Sequence, residues 1–106
     1  MSLDFYLVQD NQEVFSGNIT HNLNQMAKYV GIYQVLWRPE ELGISKAGGC
    51  IPLLFSGLYN LLTHRAECKK YNSPNGWGMY EHFLPFVIDV ISACAEYPEA
   101  DIRVSR

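Results

Sequence analysis

Apolar and polar side chains alternate at the start of the chain. Leu3, Phe5 and Leu7 fall on one side of an extended segment, and polar or amphipathic residues stand between them. This period of two is typical of a half-buried strand. A polar turn follows over residues 9–12, and residues 13–19 form the predicted return strand. The chain is therefore expected to open with a β-hairpin.

A helical spacing replaces the alternation after Thr20. Thr20 is a good N-cap, and the apolar residues that follow it keep the i, i+3, i+4, i+7 spacing of one helix face. These residues are Leu23, Met26, Ala27 and Val30. Gly31 is expected to end this helix. Short helical turns are predicted over residues 32–37 and 39–43, the second with proline at its first position and glycine at its end.

Two longer helices are predicted in the second half of the chain. Ser45 is expected to cap the first, although nearby glycines and Pro52 leave its start open by a turn. Its apolar stripe is Ile51, Leu54, Phe55, Leu58, Leu61 and Leu62. A polar helical extension over residues 64–71 and a turn over 72–76 come next. The last helix contains Pro85, which should kink it, and its stripe is Tyr80, Phe83, Leu84, Val87, Val90, Ile91 and Cys94.

A third strand closes the chain. In residues 100–105, Ile102 and Val104 alternate with charged residues. The order strand, strand, helices, strand predicts an α+β fold in a single domain over residues 1–106. The expected architecture is a small antiparallel sheet, made of the N-terminal hairpin plus the C-terminal strand and covered by three to four helices. The alternative is an all-helical bundle with extended ends.

Composition and charge narrow the class of partners. With 106 residues, 48% hydrophobic and 18% charged, the chain is an ordinary globular protein. A net charge of −3 and a densest basic run of only Lys69-Lys70 argue against a nucleic-acid ligand. No uninterrupted apolar run reaches the ~18 residues of a membrane span, and no secretory signal is recognisable, so we expect a cytoplasmic protein with no membrane partner.

Catalytic and metal-binding spacings are missing from the sequence. It lacks the nucleophile elbow, the phosphate loop, the dinucleotide fingerprint and the H-E-x-x-H motif. Cys50, Cys68 and Cys94 include no C-x-x-C pair and are predicted to be free thiols. No set of His, Cys, Asp and Glu has metal-ligand spacing. We therefore predict no cofactor and no metal.

Polar side chains concentrate at two junctions that lead into helices, residues 18–24 and residues 72–82. Unpaired N–H groups at a helix start suit an anionic or carbonyl-bearing group. If both junctions lie at one end of the sheet, their side chains converge on a polar pocket with an aromatic wall. The pair Trp37-Arg38 is a third candidate feature. The Arg38 guanidinium would either bind a ligand carboxylate or pair with an acidic residue of the following helical turn. The candidate ligand-binding residues are Asn18, Thr20, His21, Asn22, Trp37, Arg38, Asn75, Trp77 and Tyr80.

Each of these features also has a purely structural interpretation. Thr20 would only cap a helix, and the amides would only satisfy backbone groups in turns. Trp77 would then be a packing anchor whose indole N–H finds a carbonyl. Both interpretations stay open at this level.

Several segments together resemble a known family. They are residues 18–23 (N-I-T-H-N-L), 36–41 (L-W-R-P-E-E), 75–81 (N-G-W-G-M-Y-E) and 98–106 (P-E-A-D-I-R-V-S-R). They resemble a family of small, uncharacterised bacterial and phage proteins of about this length. The resemblance covers nearly the whole chain and implies no activity. Residues 48–52 depart from the family pattern, which has a helix-forming residue near Gly49.

Three functions are consistent with the sequence. The first is a non-catalytic binding module that presents the two polar junctions to a small polar or anionic ligand or to a protein partner. The second is a small enzyme that uses His21 or His82 as a general base. The third is an assembly subunit, for which an exposed apolar patch is expected. That patch would consist of Trp37, Phe55, Tyr59 and Phe86. The sequence does not determine the oligomeric state.

Overall fold

The N-terminal hairpin closes through a two-residue turn. In a computed structural model that describes residues 1–106, β1 (Ser2–Gln9) pairs antiparallel with β2 (Gln12–Thr20). Asp10 and Asn11 have φ angles of 54° and 64°. Positive φ at both central residues is what a tight hairpin turn of this length needs, and Asp and Asn tolerate it well.

The third strand completes an antiparallel sheet. β3 (Asp101–Ser105) pairs with the free side of β1, so the strand order is β2-β1-β3. Leu3, Phe5 and Leu7 of the central strand are completely buried, because the helices cover the face to which they point. The α+β prediction is confirmed, and the all-helical alternative is wrong.

Five α-helices connect β2 to β3. Short 3-10 turns precede or join some of them, at His21–Leu23, Pro39–Leu42 and Ala47–Cys50. The α-helices are α1 (Asn24–Tyr29), α2 (Tyr33–Trp37), α3 (Ile51–Thr63), α4 (Arg65–Lys69) and α5 (Tyr80–Glu96). None of them combines the length and apolarity that a membrane crossing requires.

The start of α3 differs from the prediction. Ser45 does not cap this helix, which begins at Ile51 and carries Pro52 in its first turn, where the missing N–H breaks no helical hydrogen bond. The Ser45 carbonyl instead accepts a hydrogen bond from the Ile102 N–H at 3.1 Å. The segment around Ser45 thus follows strand β3, and that pairing delays the helix.

The buried face of α3 also differs from the predicted stripe. Leu54, Gly57 and Leu61 are buried, whereas Phe55 and Leu62 are 53% and 47% exposed. The stripe prediction was wrong for these two residues because it ignored glycine, the residue that allows the closest helix contact.

The four aromatic residues expected to form an assembly patch do not share a surface. Phe55 and Tyr59 are exposed on the outer side of α3. Trp37 and Phe86 are only 2% and 7% exposed and belong to the core. The prediction of one four-residue patch is therefore wrong.

The last part of the chain follows the prediction more closely. The polar extension is a separate short helix, α4, because His64 leaves the helical region at φ −124° and ψ 44°. Helix α5 runs through Pro85. The Asn72 carboxamide oxygen accepts a hydrogen bond from the Tyr80 N–H at 2.7 Å and so satisfies the first turn of α5.

The core is apolar throughout. The chain buries 29 residues, none of them polar or charged, and 26 of these form the hydrophobic core. The three cysteines are free and buried, as predicted. A hydrogen bond to Cys94, together with burial, raises the pKa of the Cys50 thiol. Burial also raises the pKa of the Cys68 thiol, so Cys50 and Cys68 are packing residues with little thiolate character.

Gly57 determines how closely α3 approaches Ile32, the residue before α2. A Cβ atom at this position would overlap the Ile32 side chain. We expect Gly57→Ala to lower the free energy of unfolding by about 1–3 kcal/mol through overpacking, despite a gain of about 1 kcal/mol in helix propensity. Urea denaturation measures the change. The control is Ser56→Ala on the exposed side of the same helix, expected to stay within about 0.5 kcal/mol of wild type. A Gly57→Ala protein of wild-type stability would contradict this contact.

Candidate functional site

The two polar junctions, more than fifty residues apart along the chain, meet in the structure. The Asn22 side-chain N–H donates to the Trp77 carbonyl at 2.8 Å. Gly78 lies against the same turn, where an added Cβ would come within 2.8 Å of the Asn22 Cβ and 3.3 Å of the Thr20 methyl carbon. The convergence on which the candidate site depends is therefore present.

A groove of about 960 Å³ runs along this meeting point. We call one part of it the loop end, which is lined by His21, Asn22, Asn75 and Trp77. The other part is the helix end, between strand β2 and helix α5. It is lined by Gly17, His82, Pro85, Phe86 and Asp89. The volume lies within the range of small-molecule pockets, about 300–1,000 Å³.

His21 is the best-oriented polar side chain of the loop end. The indole N–H of buried Trp37 donates to His21 Nδ1 at 2.9 Å. Because Nδ1 accepts this bond, the neutral ring carries its hydrogen on Nε2. His21 is half-buried and lines the groove. The imidazole can therefore offer an N–H donor to a ligand.

Trp37 is itself fixed by the C-terminal residue. The Arg106 guanidinium donates to the Trp37 carbonyl at 2.9 Å and pairs with Glu40 at 2.6 Å. The Tyr33 ring stacks on Trp37 with a centroid separation of 5.3 Å. The residue that orients His21 is thus held on several sides.

Trp77 stands at the opposite wall of the loop end. Its side chain is 72% exposed, although its backbone is fixed. The Asn75 carboxamide oxygen accepts hydrogen bonds from the Trp77 N–H at 2.9 Å and from the Ser73 hydroxyl at 2.6 Å. The loop is ordered by its own polar groups, and the indole is left free to contact a ligand.

Three of the predicted site residues do not line the groove. Trp37 is buried and acts only through His21. Arg38 pairs with Glu41 at 3.5 Å, which is the structural alternative considered for it. Tyr80 is buried and its hydroxyl donates to the Leu61 carbonyl at 2.6 Å. These side chains are not part of the site because they are buried or paired within the chain. The sequence pattern does not show either property.

The chain itself supplies acceptors for several N–H groups at the two helix starts. The Thr20 hydroxyl accepts from the Asn22 N–H at 3.3 Å, and the Met1 carbonyl accepts from the His21 N–H at 3.4 Å. Asn72 satisfies the start of α5 in the same way. The chain therefore caps part of the N–H groups on which an anion site at these helix starts would depend.

Asn18 lines the groove while its side chain bonds to the neighbouring strand. Its carboxamide N–H donates to Asp4 at 2.6 Å and to the Ser2 hydroxyl at 3.0 Å. The two contacts tie β2 to β1 on the uncovered face of the sheet. Asn18 thus has a structural role in joining the two strands and also lines the candidate binding groove.

Residues of α5 line the groove without having been predicted as ligand contacts. Pro85, Phe86 and Asp89 follow His82 at i+3, i+4 and i+7 and thus share one helix face. The spacing is visible in the sequence, but nothing there shows that this face lies beside β2. No group of three or more His, Cys, Asp and Glu residues is arranged to hold a metal ion.

Comparison with known proteins gives one short similarity. A stretch of 57 residues is 39% identical to a protein of Geobacillus sp. (strain WCH70) described as "Probable glycine dehydrogenase (decarboxylating) subunit 1". The similarity covers 54% of this chain and 12% of that protein, so the chain spans only a small part of this relative. No family model matches the chain, and no solved structure matches it.

Gly78 fixes the contact between the two junctions. We expect Gly78→Ala to destabilise the fold by more than Gly76→Ala does, because both residues have positive φ but only Gly78 meets neighbouring atoms. Gly76→Ala should cost about 1–2 kcal/mol from backbone strain alone. Thermal denaturation of both variants gives the comparison. Equal losses of stability would contradict the close approach at Gly78.

The hydrogen bond from Trp37 should fix the tautomer of His21. We expect long-range ¹H–¹⁵N spectra at neutral pH to show His21 in its Nε2–H form. Trp37→Phe removes the donor and should leave a mixture of tautomers. Trp77→Phe, which leaves that hydrogen bond intact, serves as the control. A His21 ring protonated on Nδ1 in the neutral wild type would contradict the geometry.

Proposed function

We propose that this chain is a non-catalytic binding module whose loop end takes a small polar ligand. The orientation of the His21 imidazole is the observation that carries the proposal. The indole N–H of Trp37 donates to His21 Nδ1 at 2.9 Å, and the Nε2–H of the same ring is left for a ligand in the groove. A ligand oxygen, from a carboxylate or a carbonyl, is the natural acceptor for that N–H.

Trp77 supports the same proposal from the other wall. An exposed indole on an ordered loop supplies contact area at a small cost in side-chain entropy. The proposed ligand is therefore small, carries an oxygen acceptor and presents an apolar or flat part to the indole.

The competing enzymatic function is weakened by the same hydrogen bond. A general base needs a free lone pair, and the Nδ1 lone pair of His21 is occupied by Trp37. His82 keeps an exposed imidazole, but no nucleophile or amide cluster of the loop end pairs with it. Binding without turnover is thus the function we favour.

Further properties belong to this proposal. The acidic balance of the chain, with net charge −3, supports a ligand other than nucleic acid. We place the protein in the cytoplasm and among the small bacterial and phage proteins that its N-I-T-H-N-L and N-G-W-G-M-Y segments resemble. The Geobacillus protein is described as a probable glycine dehydrogenase subunit, and the carboxylate of glycine is an acceptor of the kind that the His21 N–H requires.

A thermal-shift screen tests the proposal. The probes are glycine, acetate, inorganic phosphate and a panel of small carboxylates and amides. A ligand present at about 100 times its Kd should stabilise the wild-type fold by about 2.7 kcal/mol. A double variant, His21→Ala with Trp77→Ala, should lose this stabilisation.

The matched control is His64→Ala with Tyr59→Ala, which removes an exposed imidazole and an exposed aromatic ring outside the groove. This control should respond to the ligand as the wild type does. If every active compound stabilises the groove variant as much as the wild type, the loop end is not the binding site.

A further inference from the structure

The rest of the chain covers one edge of the sheet, at β3, and leaves the other edge, at β2, open. β3 is five residues long, and its outer side is covered where the Ile102 N–H donates to the Ser45 carbonyl at 3.1 Å. Lys46 bridges to Asp101 beside this contact, with its ammonium 2.6 Å from the carboxylate. Natural proteins protect sheet edges in these ways, by short strands, charges and covering segments.

The β2 edge has no such cover. It is nine residues long, contains no lysine or proline, and its register is regular between Phe15 and Thr20. The backbone groups of Ser16 and Asn18 take part in none of the hydrogen bonds formed outside the strands and helices. A bulge near Val14, where the register shifts, limits the open edge on the hairpin side.

The pairing pattern shows which backbone groups point outward. His21 faces Met1 and donates to its carbonyl, and hydrogen-bonded and non-bonded pairs alternate along an antiparallel ladder. Leu3 with Ile19 and Phe5 with Gly17 are therefore the bonded pairs. The N–H and C=O groups of Ser16 and Asn18 consequently point away from β1, toward the open edge.

We propose that the β2 edge binds a second copy of this chain, so that two sheets join into one six-stranded antiparallel sheet around a two-fold axis at Gly17. An axis at this residue places Ser16 of one copy opposite Asn18 of the other, and the reverse. In both pairs the outward N–H and C=O groups then satisfy each other. The inference goes beyond the ligand proposed above and does not depend on it.

Helix α5 supports a second copy over an unrelated peptide. Phe86 lies beneath Gly17, where an added Cβ would come within 2.9 Å of the ring. His82 and Asp89 lie about one helical turn to either side of Phe86, and both are exposed in the groove. The same two-fold axis that pairs the strands brings His82 of one copy opposite Asp89 of the other. The helix end is therefore complementary to itself, because each imidazole can donate a hydrogen bond to the carboxylate of the other copy.

Sedimentation equilibrium over a hundredfold concentration range, with the full chain at neutral pH, tests the proposal. We expect a rise from 12.1 kDa to twice that mass. Asp89→Lys removes the carboxylate that accepts from His82 of the other copy and should weaken association about tenfold or more. The double variant His82→Asp with Asp89→Lys pairs a carboxylate with an ammonium at the same two positions and should recover most of the affinity. Glu96→Lys makes the same charge change on α5 outside the groove and should associate like wild type.

Amide hydrogen exchange gives a second readout that needs no variant. The Ser16 and Asn18 amides should become protected as the concentration rises, while the Gly17 and Ile19 amides, bonded to β1, stay protected throughout. A monomer at every concentration up to about 1 mM overturns the proposal. So does a dimer with unchanged exchange at Ser16 and Asn18, or one that Asp89→Lys leaves intact. None of these three outcomes bears on ligand binding at His21 and Trp77.

Discussion

The close approach of helix α5 to strand β2 at Gly17 is the contact on which the rest of the site depends. No side chain stands between the Gly17 backbone and the Phe86 ring, since a Cβ would come within 2.9 Å of it. The helix therefore lies under the edge of the sheet and leaves a groove beside it. One glycine thus determines where a cavity opens in a fold whose core is otherwise filled with apolar side chains.

The loop end of the groove also depends on a glycine that allows two backbone segments to approach closely. Gly78 contacts the turn after β2 so closely that any side chain would displace Asn22. The hydrogen bond from Asn22 to the Trp77 carbonyl then fixes the register of the two segments. Trp37 and Arg106 add the second support, because they hold His21 from behind and join the C-terminal residue to the site. Close backbone contact and hydrogen bonds between distant segments therefore order the surface at the loop end.

Sequence reasoning located the candidate site without describing its interior. It identified the two polar junctions because asparagine, histidine and tryptophan concentrate there, and the structure brings these junctions together. It wrongly included Arg38 and Tyr80, which satisfy their polar groups inside the chain. It did not assign a ligand contact to Asp89. The composition of a segment shows that it is polar, but only the fold shows whether its polar groups already have hydrogen-bond or ion-pair partners within the chain.

The local pattern of the chain was sufficient for its architecture. Alternation determined β1 and β3, helical periodicity determined α5, and the polar turn at Asp10 and Asn11 determined the hairpin, because these properties depend on neighbours a few residues away. Tertiary structure alone decided the rotation of α3, the cover over β3 and the open edge of β2. The first two result from contacts between residues far apart in sequence, Gly57 with Ile32 and Ser45 with Ile102, and the open edge is the side of β2 that no other segment covers. Such contacts are set by shape and distance after the elements pack, and no periodicity along the chain records them.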